Sequence, residues 1–253
     1  MLYLDYVAYN NKLVRVSIQE KLLLGGGCLL LALFFPQPQV LSAIILLMHM
    51  IMLGAGVPVR FLLHLWLAPL GFVLLSLVSI VLDWGSQPWA DQANIKIAHY
   101  YIWLAPHGLS VASKLFMRCA AGTSCLFMIA TTTPIVHIAA FMARLRWLHS
   151  SMEIVLLTYR FIFILLETAG RMLDAQQSRL GYANRRQSLQ SFAALTANLG
   201  GKSLNRASQL SIALQARNYQ GRLFAYLPSQ VPKWWRVVLI IGLLAGIFFI
   251  TRL

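Results

Sequence analysis

Residues 22–59 read LLLGGGCLLLALFFPQPQVLSAIILLMHMIMLGAGVPV, without one Asp, Glu, Lys or Arg. A helix needs about 20 residues to cross a hydrocarbon core of about 30 Å. The stretch therefore holds two short membrane spans. Pro36-Gln37-Pro38-Gln39 divides them, because prolines make a turn far more cheaply than a continuous helix. Outward from there, a third span is predicted over Phe61 to Leu82. A fourth lies within Cys119 to Thr133, extended backward past Lys114 and Arg118. A last one covers Val237 to Thr251, with Trp234 and Trp235 as interfacial anchor.

Composition agrees. Of 253 residues, 59% are hydrophobic and 11% charged, where a soluble domain carries about a quarter charged. That excludes disorder and most soluble enzymes. The charge is lopsided, 21 Lys+Arg against 7 Asp+Glu for a net +14. Such an excess can mark nucleic-acid binding. In a membrane protein it more often reflects cytoplasmic loops and an anionic inner leaflet. Cys28, Cys119 and Cys125 sit in apolar surroundings without metal-ligand spacing and read as small apolar helix residues. Residues 1–21 carry Asp5 and Glu20, and no small-x-small site follows the apolar run, so this segment reads as retained rather than as a cleaved leader.

Orientation follows from the basic residues. Lys12, Arg15 and Lys21 place the N-terminus in the cytoplasm, and Arg60, Arg144 and Arg146 return the chain to that side after spans two and four. A short apolar run, Ile154–Leu166, contains Arg160 and is bounded by Glu153 and Glu167. Were it to cross, the basic region 171–236 would lie outside, so it reads as a helix that does not span. The expected architecture is an all-α integral membrane protein of about five spans: a membrane domain over 1–133, a cytoplasmic helical domain over 134–236, and a final span over 237–253 whose end is extracytoplasmic. The outer loop 83–108, rich in Trp84, Trp89, Tyr100, Tyr101 and Trp103, fits an interfacial re-entrant or surface helix.

The cytoplasmic domain has a signature of its own. From residue 175 onward there are ten Lys+Arg and no Asp or Glu. Such a surface cannot pair internally and wants a negative partner: anionic lipid, nucleic acid or an acidic protein groove. One long helix is predicted from Ile154 to about Ser178, with Ala169, Gly170 and Ala175 along it, small enough to admit a neighbouring helix closely. A second runs from about Ser203 to Gln220, with Ala207, Leu210 and Ala213 in partial helical register. Between them a polar, helix-capable stretch, 182–199, ends at Gly200-Gly201, which reads as a C-cap and hinge. Both helices end alike, in Ala175-Gln176-Gln177-Ser178-Arg179-Leu180-Gly181-Tyr182 and in Ala213-Leu214-Gln215-Ala216-Arg217-Asn218-Tyr219-Gln220-Gly221. An arginine there complements the helix dipole and offers a planar fork for a carboxylate. On spacing alone, two ordinary basic helix ends are the plainer reading.

At this point the chain resembles the transmembrane T component of energy-coupling factor transporters, in the CbiQ-type cobalt/nickel branch. The resemblance rests on Asp5-Tyr6-Val7-Ala8-Tyr9-Asn10-Asn11-Lys12-Leu13 with Glu20-Lys21-Leu22, on Thr132-Thr133-Pro134, and on Leu199-Gly200-Gly201-Lys202-Ser203-Leu204-Asn205-Arg206-Ala207 leading into the second helix end. It implies a permease subunit of the cytoplasmic membrane, without cofactor or metal site of its own, that couples two ABC-type ATPase subunits to a metal-binding membrane S component. Two cytoplasmic helices would each dock an Ala-Arg-Gly-like end into one ATPase. By resemblance the coupling residues are Ala175, Ser178, Arg179, Gly181, Ala216, Arg217, Asn218 and Gly221, while Ala169, Gly170, Ala207 and Ala213 would let the helices slide against each other. Leu180 and Asn218 stand where the family usually has glycine, and Gln176 where another arginine is common. Asn tolerates a left-handed backbone better than other non-glycine residues.

Other signals lead nowhere. Gly201-Lys202-Ser203 imitates the end of a phosphate-binding loop, but Thr196 stands where that loop needs glycine, so the ATPase belongs to another chain and no enzyme activity is expected. His49, His64, His99, His107, His137 and His149 make no close pair at metal spacing, and His99 and His107 are the best placed to touch an incoming metal. Lys114, Arg118 and Arg160 carry charge near the membrane and need partners or a snorkelling path. The alternative to coupling is a self-contained secondary transporter. It would call for an inverted repeat and an acid deep in a span, and neither is present. A lipid-directed enzyme using Asp83, Asp91, His99 and His107 lacks a nucleophile–base pair. Nucleic acid is not an expected partner.

Overall fold

A computed structural model describes residues 3–85, 95–97, 100–104, 108–145, 147–219 and 232–250, for 82–85, 95–97, 100–104 and 250 by backbone alone. The chain divides into two compact units, one of Leu2–Pro134 with Ser229–Leu253 and one of Ile135–Pro228.

The first unit is a helical bundle. Helix α1 (Tyr3–Tyr9) and a 3-10 turn (Lys12–Arg15) lead into α2 (Ile18–Phe34), α3 (Pro38–Gly54), α4 (Val59–Val81) and α5 (Gly108–Thr132), and α9 (Trp234–Ile250) returns to it. Helix α2 ends just before Pro36, and Pro38 opens the first turn of α3, where its missing N–H costs nothing. Helix α5 is central, packing on α1, α2, α3 and α4. The core is built from Leu41, Ile44, Met48 and Met52 of α3 with Cys28, Ala121, Cys125 and Met128. Two glycines of α2 set its neighbours' approach. A Cβ at Gly25 would meet Ile129 at 2.7 Å, and one at Gly27 would meet Leu244 at the same distance.

Helix α4 decides the solvent. It has 23 residues and a mean hydropathy of 2.2 over its most apolar window, yet only 6% of that window is buried. Leu63, Leu67, Phe72 and Leu75 stand outward. Each such side chain left in water forgoes about 1.5–3 kcal/mol, so this face belongs against lipid. Helix α5 is likewise long and apolar enough to cross, and α3 and α9 are shorter apolar helices.

Most of the buried polar residues of this unit collect at one end. Lys21 Nζ donates to the carbonyl of Thr132 at 2.7 Å, and Asn11 Nδ2 donates to the carbonyls of Ala8 (2.7 Å) and Thr131 (3.2 Å). Glu20 accepts the backbone N–H of Lys233 at 2.8 Å and lies 3.7 Å from Arg236. Arg118 donates to the carbonyl of Leu33 in the last turn of α2, which gives this cation the negative end of a helix dipole. Among the described residues the fold is helical apart from one short antiparallel sheet of β1 (Leu82–Gly85), β2 (Ile95–Ile97) and β3 (Tyr100–Leu104), in the order β1-β3-β2. The sheet corrects the expected helix over 83–108. A run such as Tyr100-Tyr101-Ile102-Trp103 is β-branched and aromatic, and it pairs with 82–85 in register Leu82↔Leu104.

The second unit holds α6 (Ile135–Met142), α7 (His149–Ser178) and α8 (Arg185–Ala216). Helices α7 and α8 form a long hairpin, of 30 and 32 residues, or about 45–48 Å each. Helix α8 runs straight through Gly200-Gly201, which corrects their reading as a cap and hinge. A glycine inside a helix costs only about 1 kcal/mol relative to alanine, and the good helix formers on both sides carry it. The polar stretch 182–199 is thus mostly the first half of α8.

Candidate functional site

Both long helices of the hairpin end in the same hydrogen-bonded structure. In α7, Arg179 is the C-cap, Leu180 N–H donates to Gln177 O at 3.0 Å, and Gly181 N–H donates to Gln176 O at 2.9 Å. In α8, Arg217 is the C-cap, Asn218 N–H donates to Gln215 O at 3.0 Å, and Tyr219 N–H donates to Leu214 O at 3.0 Å. Each is a Schellman motif, in which paired bonds satisfy the last helical carbonyls and the residue after the cap turns left-handed. That residue is Leu180 at φ 55° and Asn218 at φ 54°, the only non-glycine residues at positive φ among those described.

The match extends to the side chains. Ala175 and Ser178 precede Arg179 by four and one, as Ala213 and Ala216 precede Arg217. Residues three apart share a helix face, so each arginine stands beside a small-residue face. Both arginines are exposed, and neither guanidinium has an ion-pair partner among the described residues. Two of the acids on α7 are engaged: Glu167 pairs with Arg171 at 3.4 Å, and Glu153 lies 3.4 Å from His149. Arg160 therefore gains neither of the glutamates the sequence offered it.

Polar ties hold the hairpin at both ends. At the turn, Tyr182 Oη donates to Gln176 Oε1 (2.8 Å), Gln176 Nε2 to Ser191 O (2.9 Å) and Ser191 Oγ to Gly181 O (2.8 Å). A Cβ at Gly181 would meet Ser191 Oγ at 2.7 Å and Gln176 O at 2.9 Å. At the open end, Tyr219 Oη donates to Glu153 Oε2 at 2.9 Å, and this bond first, then desolvation and charge, raises the phenol's pKa. His149 Nδ1 faces the carbonyl of Ala143 at 3.0 Å. Between the ties lies a groove of about 390 Å³, lined by Ile154, Leu157, Phe161 and Leu165 of α7 and Leu204 and Leu210 of α8.

Of the residues singled out for helix packing, Ala207 lines this groove. Ala213 is exposed, and a Cβ at Gly170 would meet nothing within 4 Å. Ala169 is half-buried on α7. Gly221, His99 and His107 lie outside the described residues. Among the described residues no three His, Cys, Asp or Glu side chains gather as a metal site. His49 accepts from Trp66 Nε1 at 3.1 Å and faces Ile45 O, as a helix–helix staple. Sequence reasoning named Glu153 and Gln176 without their partners and missed Ser191, because these ties depend on residues meeting when the hairpin folds back. The tyrosine that follows each arginine was the available signal.

An apolar bundle with an outward-facing α4, joined in sequence to a helical hairpin with two arginine-bearing ends, defines a helical membrane protein. Within that class the chain belongs to the CbiQ family, described as cobalt transport protein, whose model matches residues 9–231. The cobalt transport protein CbiQ of Rhodobacter capsulatus is 36% identical over 232 residues, 90% of either chain. The CbiQ of Salmonella typhimurium is 29% identical over 225 residues, 86% of this chain and 97% of that one. A putative fused cobalt transport protein CbiMQ of Methanocorpusculum labreanum is 25% identical over 222 residues, 86% of this chain but 36% of that one.

Proposed function

We propose that this chain is the energy-coupling membrane subunit of an ECF-type importer for cobalt or nickel. The α7–α8 hairpin is its cytoplasmic coupling domain, and the bundle crosses the cytoplasmic membrane about five times. It is not an enzyme; ATP is bound and hydrolysed by separate ABC-type subunits. The observation that carries this reading is the pair of equivalent arginine ends. They close α7 and α8 at opposite ends of an antiparallel hairpin, separated by about 45 Å of helix, so that each can engage a different ATPase. An exposed guanidinium without an internal partner, beside a small-residue face, suits insertion into an acidic groove. A rigid hairpin then carries the closure of two ATPases to the membrane bundle and to a metal-binding S component. The relative named as a CbiMQ fusion, in which the matched region is 36% of the chain, supports a second membrane component working beside this one.

The test is a mild-detergent pull-down from native membranes with mass spectrometry, paired with metal uptake. An ABC-type ATPase and a small hydrophobic subunit should co-purify. Recovery of the chain alone, even after crosslinking, would sink the coupling reading and move a self-contained transporter to the front.

A further inference from the structure

Each arginine end of the hairpin carries a tyrosine whose hydroxyl is tied down, but the two ties differ. Tyr182 bonds to Gln176, on the helix that precedes it. Tyr219 reaches the opposite helix, donating to Glu153 in the first turns of α7. Tyr219 is two residues beyond Arg217 and provides the outer N–H of the Schellman motif that presents it. Its hydroxyl thus joins the second arginine end to the base of the first helix. Glu153 is 7% exposed and is also approached by His149 at 3.4 Å. A buried carboxylate needs such donors, because without them its charge is costly. Between the two ends α7 and α8 line an apolar groove, so the Tyr219–Glu153 bond is the polar tie that joins the Arg217 end to α7.

We propose that Tyr219 and Glu153 form a clasp that sets the position of the Arg217 end relative to α7, making Tyr219 a positioning residue for coupling. This rests on the coupling reading above. If two ATPases move the two arginine ends, the clasp closes the hairpin into a frame that transmits the motion instead of absorbing it by splaying.

The test uses the whole transporter complex, with spin labels at Ser151→Cys and Gln215→Cys in a background where Cys28, Cys119 and Cys125 are replaced. Tyr219→Phe removes only the hydroxyl, and Glu153→Ala removes the acceptor. Both are expected to broaden and lengthen the label-to-label distribution. Metal uptake should fall roughly three-fold or more, with more ATP hydrolysed per ion moved and with ATPase subunits still co-purifying. Tyr182→Phe, at the other end, should leave this distance unchanged. An unaltered distribution in Tyr219→Phe, or an altered one with normal uptake per ATP, would overturn the clasp. Normal uptake in Arg217→Ala would instead overturn the coupling reading, independently of the distance result.

Discussion

Leu180 and Asn218 occupy one backbone state, φ 55° and 54°, each directly after the arginine that caps its helix. A left-handed backbone costs a non-glycine residue about 1–2 kcal/mol, and asparagine less than leucine. The Leu180 side chain is 75% exposed, so no burial offsets that cost. Leu180→Gly should therefore stabilise the hairpin by about 0.5–1 kcal/mol after glycine's extra unfolded-state entropy, and Asn218→Gly by less. Thermal unfolding of the detergent-purified chain measures both. A lower midpoint for Leu180→Gly would show that the leucine side chain has a role of its own.

Gly181 marks the opposite case, one residue on. An added Cβ would lie 2.7 Å from Ser191 Oγ and 2.9 Å from the carbonyl of Gln176. The hydroxyl can rotate away, but the carbonyl is backbone and holds the Schellman bond. Gly181→Ala should destabilise the turn by about 1–3 kcal/mol, seen as faster hydrogen exchange over 176–191. Gly170→Ala is the control, with open space at its Cβ, and should be neutral or slightly stabilising.

The two arginine ends predict a shared sensitivity to side-chain shape. If each guanidinium grips a carboxylate as a planar fork, lysine cannot replace it. Arg179→Lys and Arg217→Lys should lose about ten-fold in metal uptake, and the alanine variants more, while membrane levels stay normal. Uptake assays with immunoblotting of membranes check this. Full activity in the lysine variants would reduce the role of the ends to bulk positive charge.

How far the sequence speaks depends on the range of the interaction. The break at Pro36–Gln39 is legible because lipid forbids irregular backbone and proline forces it. The lipid-facing α4 is legible because nothing but apolar length is required of it. The end of α7 at Ser178-Arg179 is legible for a local reason too, since a glycine follows soon after. Gly200-Gly201 misleads because the same residue type that ends helices also survives inside them, and the surrounding 30-odd residues of α8 decide the outcome. The sheet of 82–104 misleads because aromatic residues suit an interface and a strand equally. Glu153 meeting Tyr219, and Lys21 meeting Thr132, have no local signature; the pairs come together only when the chain folds back.

Lys21 tests that long-range layer. It is 6% exposed, and its ammonium spans from α2 to the carbonyl of Thr132 at the end of α5. Lys21→Met keeps most of the volume but strands the carbonyl, at a cost of about 1–3 kcal/mol. The expected result is a lower unfolding midpoint, shared by Asn11→Ala, whose amide joins the neighbouring carbonyl of Thr131. Because the two sites adjoin, the double variant should cost less than the sum of the singles. Strict additivity would mean that the two bonds act independently.

The contact of Glu20 with the start of α9 gives a test of topology that basic-residue counting alone does not. Glu20 in the first turn of α2 meets Lys233 and Arg236, Gly27 packs on Leu244, and Phe35 meets Phe248 edge-to-face. Contacts that advance together along both helices mean that α2 and α9 run parallel. Whichever side α2 begins on, α9 begins on it too. By the positive-inside rule, Lys12, Arg15 and Lys21 predict a cytoplasmic start for α2, and Lys233 and Arg236 predict the same for α9. Reporters fused ahead of Tyr3 and after Leu253 should therefore map to opposite faces of the membrane, the first cytoplasmic and the second extracytoplasmic. Reporters on the same face would require α2 or α9 not to cross, and α9 is the one to examine first, because its 17 residues span only about 26 Å. In that event Glu20→Ala, which removes the acceptor of Lys233 and the partner of Arg236, would release a surface helix and leave transport intact. If α9 crosses, the same variant should loosen its first turn in hydrogen exchange and lower the unfolding midpoint by a few degrees, consistent with about 2 kcal/mol for a partly exposed charge pair with a buried acceptor.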